Sequence, residues 1–393
     1  MANNTLSQNV QQAIIDFDAI KEAINEKGVE VTSEPTLEYA DKIREISASI
    51  VTGEGTYRRR FFDWDGRLLK TVWANVGEPV TPPVPPVISL GGGVTLDFDG
   101  WNYTATEMSD TACHIDIGAY RLPSDGKSRI YLDLTPTAGA LPISIGLILV
   151  KNDTSEVTID WGDGTTSIAS ASGTTTSNHS YTGYGTYCIK IWVSSGTGNY
   201  YIRHTNFSTT AAIKNSVTCV INSHETDWSA GLNACYGCQV TSTHAGMTTL
   251  SSIQSTGLRY ITIPRGVASS SGTGLAELRN LTHISIPITF TACGTNTFYN
   301  SHPILCISWV NPVSIDSGFA NARTIGRFIG LFGTTTPPTI TGSFITSTAV
   351  PPILFVPDSA VTAYKTATNW VVLADWIKPL SACTREFMER SGL

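Results

Sequence analysis

Short apolar runs recur at a fixed interval in the C-terminal half of this 393-residue chain. LRYITIP begins at Leu258, LTHISIP at Leu281 and ILCISWV at Ile304, so successive runs start 23 residues apart. Looser runs at this spacing or close to it begin at Cys235, Arg327 and Ile353. A fixed period with one short strand per unit predicts stacked repeats, because a single unit cannot bury its apolar face alone.

Charge and length exclude several classes of partner. Only 15% of the residues are charged, and the formal net charge is −7, so no electrostatic argument favours nucleic acid or an anionic membrane. No apolar run reaches the roughly 18 residues that a membrane-spanning helix needs. The first residues, MANNTLSQNV, lack the basic and apolar regions of a secretory signal. We expect a chain of several domains with neither a nucleic-acid nor a membrane partner.

Residues 6–27 predict an N-terminal helix. Its apolar residues recur at steps of three and four and form one stripe: Val10, Ile14, Phe17, Ile20 and Ile24. Gly28 ends this segment, and a second short helix is predicted after Pro35. Residues 1–50 are therefore predicted to be a helical anchor or oligomerisation segment. The stripe either self-associates or docks on a partner, or it packs on its own C-terminal neighbour.

Residues 51–87 predict a β-hairpin followed by a linker. Two strands, at 61–64 and 68–73, flank an Asp-Gly turn, and PVTPPVPPV favours an extended polyproline form. Three consecutive arginines, Arg58 to Arg60, precede the hairpin. They could form a phosphate patch, but in an acidic chain we predict that they lie on a solvated edge.

Residues 88–207 predict a β-sandwich, because short alternating strands are separated by turn residues. The segment EVTIDWGDGTTS, at 156–167, fails the calcium-loop pattern, since glycines occupy the alternating ligand positions after Asp160. Two carboxylates three residues apart in a glycine turn also do not make a glycosidase pair. The pattern predicts strand, turn and strand, with the Asp163 carboxylate accepting backbone N–H groups.

The same segment resembles an immunoglobulin-like domain of the polycystic-kidney-disease (PKD) type. The residues that carry the resemblance are the WGDG turn at 161–164, the H-x-Y triplet at 179–181 and the G-T-Y strand start at 185–187. The resemblance implies that these residues hold the fold and do no chemistry.

The repeats resemble BspA-like leucine-rich repeats of bacterial surface proteins, with Ile-Pro pairs at 263–264 and 286–287. A period in the twenties is itself typical of a leucine-rich-repeat solenoid. We therefore expect such a domain over 208–380 and a tail over 381–393. The fold class predicted for the whole chain is mainly β and multidomain, with a helical anchor, a PKD-type sandwich and a C-terminal leucine-rich-repeat solenoid.

The order of these segments resembles a layout found in proteins encoded by phages of gut bacteria. A DWDG hairpin precedes GWNYT at 100–104, the WGDG domain and the repeats. The resemblance implies a bacteriophage virion protein, a fibre or appendage on head or tail, that binds bacterial surface glycan or protein. Its N-terminal helices would contact other virion proteins in a small homo-oligomer, with a trimer favoured. The alternatives are a bacterial cell-surface leucine-rich-repeat adhesin and, third, a glycan-cleaving enzyme.

The sequence predicts no catalytic, cofactor-binding or metal-binding residue. CYGC, at 235–238, has the spacing of half a zinc site but no second pair, so buried cysteines are expected. The predicted ligand-binding residues are Tyr260, Tyr299 and Trp309, whose rings suit a glycan or a protein loop. The alternative left open is that these rings pack between repeats.

Overall fold

The computed structural model describes residues 51–151, 153–198, 200–206, 215–223, 227–229, 238–251, 257–270, 275, 278, 280–295, 297–298, 306–316, 328–341 and 351–391. The prediction of a mainly β chain is confirmed, and the described strands form six sheets. The described helices are short: α1 (Ala105–Asp110), α2 (Val361–Thr366) and α3 (Arg385–Arg390). Single 3-10 turns or short 3-10 helices occupy Pro136–Ala138, Asp358–Ala360, Val371–Trp376 and Leu380–Ala382.

The first six strands form one sheet, the N-terminal sheet, in the order β1-β3-β2-β6-β5-β4. Its strands are β1 (Val51–Thr52), β2 (Tyr57–Phe62), β3 (Leu68–Ala74), β4 (Ile88–Gly91), β5 (Val94–Trp101) and β6 (Ile115–Pro123). Strands β2 and β3 confirm the predicted hairpin, and Gly66 supplies the positive φ of its turn. The proline-rich stretch therefore connects two strands of a single sheet.

The middle of the chain forms two sheets, a larger one in the order β10-β9-β12-β7-β14-β16 and a smaller one in the order β11-β8-β13. Their strands are β7 (Ser128–Leu134), β8 (Ile143–Lys151), β9 (Glu156–Asp160), β10 (Thr166–Ala169), β11 (Gly173–Tyr181), β12 (Gly185–Ser195), β13 (Tyr200–Asn206), β14 (Val217–Ile221) and β16 (Val240–Thr241). Alternate side chains of both sheets, such as Leu132 and Leu147, are buried in one core with Trp161. The two sheets therefore pack face to face with their alternate side chains between them, which is a β-sandwich.

Beyond residue 226 every described strand pairing is parallel. One six-stranded sheet contains β15 (Asp227–Ser229), β17 (Thr249–Ser251), β19 (Ser269–Ser270), β21 (Ala292–Cys293), β23 (Ser314–Asp316) and β25 (Thr339–Thr341). The other strands, which we call the docking strands, are β18 (Tyr260–Thr262), β20 (His283–Ser285), β22 (Cys306–Trp309), β24 (Ile329–Phe332), β26 (Ile353–Val356) and β27 (Ile377–Pro379).

The predicted leucine-rich-repeat solenoid is wrong. The 23-residue spacing is preserved in the pairing of Tyr260 with His283, but the described residues of each interval contain two short strands where the sequence predicted one. The first strand joins the docking strands and the second joins the separate six-stranded sheet. Strands of only two or three residues, such as Ser269–Ser270, have no apolar pattern that a sequence reading can detect.

The predicted long N-terminal helical anchor is not part of the described fold either. Residues 1–50, with the predicted stripe from Val10 to Ile24, lie outside the described residues. Each of the described helices α1–α3 has six residues.

The C-terminal segment covers the last docking strands. Tyr364 of α2 and Trp370 are fully buried, and their rings meet edge to face with centroids 4.8 Å apart. The indole N–H of Trp370 donates to the carbonyl oxygen of Pro338 at 2.8 Å. Leu380 and Met388 join the core formed by Trp73 and Cys306. This segment therefore ties the parallel strands to the N-terminal sheet.

Candidate functional site

The outward face of the docking strands is covered by the N-terminal sheet. Tyr260 of β18 pairs directly with His283 of the neighbouring strand β20. The ring of Phe62, from β2, lies 5.5 Å from the Tyr260 ring and 5.2 Å from the His283 ring, measured between centroids. We call this contact between β2, β6 and the docking strands the junction.

The predicted ligand-binding residues do not gather at an open surface. Tyr260 is 2% exposed at the junction, and its hydroxyl oxygen accepts a bond from Thr262 Oγ1 at 3.1 Å. Trp309 is fully buried and donates from Nε1 to the carbonyl oxygen of Phe290 at 2.6 Å. Tyr299 lies outside the described residues. The burial of Tyr260 and Trp309 supports the packing alternative, and ligand binding by the three residues stays a prediction.

Direct hydrogen bonds hold the junction together. The Asn102 side chain donates from Nδ2 to Ser285 Oγ at 2.9 Å, and Ser285 Oγ donates to the carbonyl oxygen of Asp116 at 2.5 Å. The Tyr103 hydroxyl donates to the carbonyl oxygen of Ile286 at 2.5 Å. Asn102 and Tyr103 belong to GWNYT, so this segment contacts the parallel strands directly.

Gly118 allows the close approach of β6 to the docking strands. A Cβ atom at this position would lie 2.2 Å from Thr262 Oγ1 and 2.6 Å from the hydroxyl oxygen of Tyr260. Both neighbours are buried, so neither can move away without disturbing the junction.

We expect Gly118→Ala to lower the free energy of unfolding by about 1–3 kcal/mol, as for other overpacked sites. Chemical denaturation of the purified chain measures this loss. Gly183→Ala is the control, because its added Cβ would approach Tyr187 only to 3.5 Å. Adding Thr262→Ala to Gly118→Ala should recover part of the loss, since the nearest clashing atom is removed. Strictly additive effects of the two changes would contradict this explanation.

The three arginines of β2 are buried, so their predicted position on a solvated edge is wrong. Arg58, Arg59 and Arg60 are 2%, 0% and 5% exposed. The reason is that β2 lies in the interior of the N-terminal sheet, between β3 and β6, with both faces covered. Successive side chains therefore point into two different packed layers.

Arg59 and Arg60, on opposite faces of β2, have different hydrogen-bond partners. Arg59 donates from its guanidinium to the carbonyl oxygens of Met108, Cys113 and Thr111 at 2.7, 2.6 and 2.5 Å. On the opposite face, Arg60 makes a bidentate pair with the Asp116 carboxylate, with two N–O distances of 2.7 Å. Such forked pairs are stronger than single hydrogen bonds and fix both partners in orientation.

A second bidentate pair is buried beside the first. Arg121 of β6 donates from Nε and Nη2 to the two oxygens of Asp63 at 2.8 Å each. Both side chains are fully buried, and Asp63 also accepts from Arg67 and from the backbone N–H of Trp64. Asp63 is the first aspartate of the DWDG hairpin, so the hairpin is fixed to β6 by charge as well as by backbone pairing.

The histidine and the two thiols near Arg58 are neutral at neutral pH. Burial, together with Arg58 and Arg59, lowers the pKa of His114 to about 3. Burial raises the pKa of the Cys306 thiol to about 11 and that of the Cys383 thiol to about 12. Burial also lowers the pKa of Arg58, to about 10, which leaves its guanidinium charged at neutral pH. Arg58 therefore carries a fixed positive charge beside neutral groups, and Asp116 is the carboxylate near it.

The WGDG turn has the structural role predicted from the sequence. Asp163 Oδ1 accepts from the backbone N–H of Thr165 at 3.0 Å, and Asp163 Oδ2 lies 2.8 Å from His179 Nε2. The His179 ring stacks on Trp161 with centroids 4.9 Å apart. Strands β9 and β10 pair antiparallel on either side of this turn. The acidic side chains are thus engaged within the turn itself.

An open groove of about 600 Å³ lies along β3, beside residues 53–55, which follow the edge strand β1. Glu54, Lys70 and Glu78 line it with charges of both signs. Lys70 Nζ donates to the carbonyl oxygen of Thr81 at 3.2 Å, and Asn75 donates from its backbone N–H to Glu78 at 2.7 Å. Hydrogen bonds from Asn75 lower the pKa of the Glu78 carboxyl. The groove offers hydrogen-bonding groups suited to a polar ligand.

Within the described ranges, no group of three or more His, Cys, Asp or Glu side chains is placed to hold a metal ion. Of the CYGC pair, Cys238 is buried, and Cys235 lies outside the described residues. No helix in the described part of the chain is long and apolar enough to cross a membrane.

Comparison of the sequence with models of known protein families found no match, and comparison with curated proteins found no similar sequence.

Proposed function

We propose that this chain is a structural protein of a bacteriophage particle, a fibre or appendage on head or tail, that binds glycan or protein on the bacterial surface. The order of the hairpin, the GWNYT segment, the WGDG domain and the parallel strands supports the particle assignment. The low share of charged residues favours a neutral ligand such as a glycan or a polar protein loop.

The observation that carries the proposal is the junction. Two buried bidentate ion pairs, Arg60–Asp116 and Arg121–Asp63, fix the N-terminal sheet, and Asn102 and Tyr103 bond it directly to the docking strands. A display protein must hold its binding surface at a fixed orientation to the particle while the host cell pulls on it. Sheets joined through buried polar contacts suit that task, because neither can shift against the other without leaving a buried hydrogen-bonding group unpaired.

The groove along β3 is the surface that we assign to the ligand. It is open, whereas the face of the docking strands is covered at the junction. Lys70, Glu54 and Asn75 would bond hydroxyl or amide groups of the ligand.

Immunogold electron microscopy of purified phage particles from the source culture tests the particle assignment, using an antibody raised against the whole chain. We expect gold label at one fixed place on the particle. Label on bacterial envelopes with bare particles would overturn the proposal and favour a bacterial cell-surface adhesin. Binding of the purified chain to host cells tests the ligand assignment. The double variant Glu54→Gln, Lys70→Met should bind at least about tenfold more weakly, and the surface variant Lys378→Met should bind normally.

A further inference from the structure

Arg58 is a buried cation without a hydrogen-bond acceptor. Its side chain is 2% exposed, and its Nε, Nη1 and Nη2 atoms make no hydrogen bond. Asp116 Oδ1 lies 3.9 Å from Nη2, too far for a hydrogen bond. Both carboxylate oxygens of Asp116 already accept from Arg60. Buried guanidinium groups are normally paired, so Arg58 calls for a specific explanation.

The charges on this face of β2 do not balance. Arg58 and Arg60 contribute two positive charges, and Asp116 contributes one negative charge. The neighbouring imidazole of His114 accepts from the backbone N–H of Arg58 through Nδ1, so it is neutral there. The Cys306 and Cys383 thiols are protonated and add no charge at neutral pH. One positive charge remains inside the protein, which is strongly unfavourable without a counter-charge.

A second polar group without a partner faces the same junction. Ser308 is 1% exposed, and its Oγ atom makes no hydrogen bond. Its neighbours Ile307 and Trp309 belong to the core on the other side of β22, so Ser308 points toward the N-terminal sheet. One strand earlier, Ser285 donates at the corresponding position to the carbonyl oxygen of Asp116. The Ser308 hydroxyl, a hydrogen-bond donor, thus lies on the face of β22 that is turned toward the sheet that carries Arg58.

We propose that the junction binds one small monovalent anion of the halide class, held by the Arg58 guanidinium with the Ser308 hydroxyl as a second donor. A single negative charge balances the two arginines and Asp116. A divalent oxyanion would replace one excess positive charge by one excess negative charge, and it is larger than a packed junction accommodates. Water would satisfy the hydrogen bonds but would leave the charge uncompensated.

Thermal unfolding of the full chain tests the site, with sodium chloride compared with sodium gluconate at equal ionic strength. Because a ligand that binds only the folded state stabilises it by mass action, we expect the Tm to rise by about 2–4 °C more in chloride between 10 and 500 mM. Arg58→Met should abolish this difference. Arg390→Met, at a side chain that is 80% exposed, should leave it unchanged.

Crystals of the unsubstituted chain grown or soaked in sodium bromide provide a test that does not depend on the folding of a variant. An anomalous peak within hydrogen-bonding distance of the Arg58 guanidinium would support the proposal. Equal Tm values in chloride and gluconate, or a bromide-soaked crystal without a peak at Arg58, would overturn it and leave hydration as the explanation. An Arg58→Met variant that keeps the full chloride effect would place the anion elsewhere, which also rejects this site.

Discussion

Asp63→Asn is expected to lower the free energy of unfolding by about 3–5 kcal/mol, as for other buried ion pairs that lose one partner. The substitution keeps the shape of the side chain but removes its charge and places an amide group against the Arg121 donors. Arg121 is fully buried and would keep a positive charge with no negative partner. Arg67 and the backbone N–H of Trp64 would lose part of the same acceptor. Urea denaturation at neutral pH measures the difference.

Asp65, in the same hairpin, provides a matched control for the substitution of Asp63. Asp65 lies two residues away and is exposed, and its carboxylate accepts from the backbone N–H of Arg67 at 3.0 Å. Asp65→Asn should cost well under about 1 kcal/mol, because solvent screens and replaces its contacts. The double variant Asp63→Leu, Arg121→Met should be more stable than Asp63→Asn, since no buried charge remains. A loss for Asp63→Asn no larger than that for Asp65→Asn would show that the buried pair contributes little.

Local sequence patterns correctly predicted those elements that a few neighbouring residues determine. The hairpin around Gly66 and the strand–turn–strand unit at WGDG are confirmed, because glycine and aspartate determine such turns by themselves. The 23-residue spacing also predicted where the docking strands begin, including Tyr260 and His283. It did not reveal the second short strand in each interval, such as Ala292–Cys293, whose residues carry no strand pattern of their own.

The junction was missed because its partners are far apart in the chain. Arg60 and Asp116 are 56 residues apart, and Asn102 and Ser285 are 183 residues apart. A run of three arginines looks solvent-exposed when it is considered alone. One local signal was present: Asp116 stands between Ile115 and Ile117, and a charge within an apolar strand indicates a buried partner. The burial of Tyr260 could not be predicted for the same reason, since the sheet that covers it comes from residues 57–123.

The stability of the chain is expected to fall as the pH is lowered from about 6.5, with His114 as the main cause. Its pKa is lowered from 6.5 to about 3 by burial and by the neighbouring Arg58 and Arg59. Between these two pH values the unfolded chain binds a proton at His114 and the folded chain does not, so stability decreases as the pH falls. The slope approaches about 1.4 kcal/mol per pH unit, which gives a loss of about 2–3 kcal/mol between pH 6.5 and 4.5.

The comparison between the single variant His283→Asn and the double variant His114→Asn, His283→Asn isolates this contribution. The asparagine Oδ1 can accept from the backbone N–H of Arg58 as His114 Nδ1 does at 3.0 Å, but it does not titrate. Burial also lowers the pKa of His283, which acts in the same direction, so both proteins are measured with His283→Asn. Asp116, whose pKa is lowered by Arg60, loses its contribution only at a pH below the range compared, where the carboxylate is protonated. Equal losses in the two proteins between pH 6.5 and 4.5 would contradict the prediction, because they would mean that His114 binds its proton equally well in the folded and the unfolded chain. A clearly smaller loss in the variant with His114→Asn would show that protonation of His114 destabilises the folded chain, because an imidazolium Nδ1 can no longer accept from the backbone N–H of Arg58.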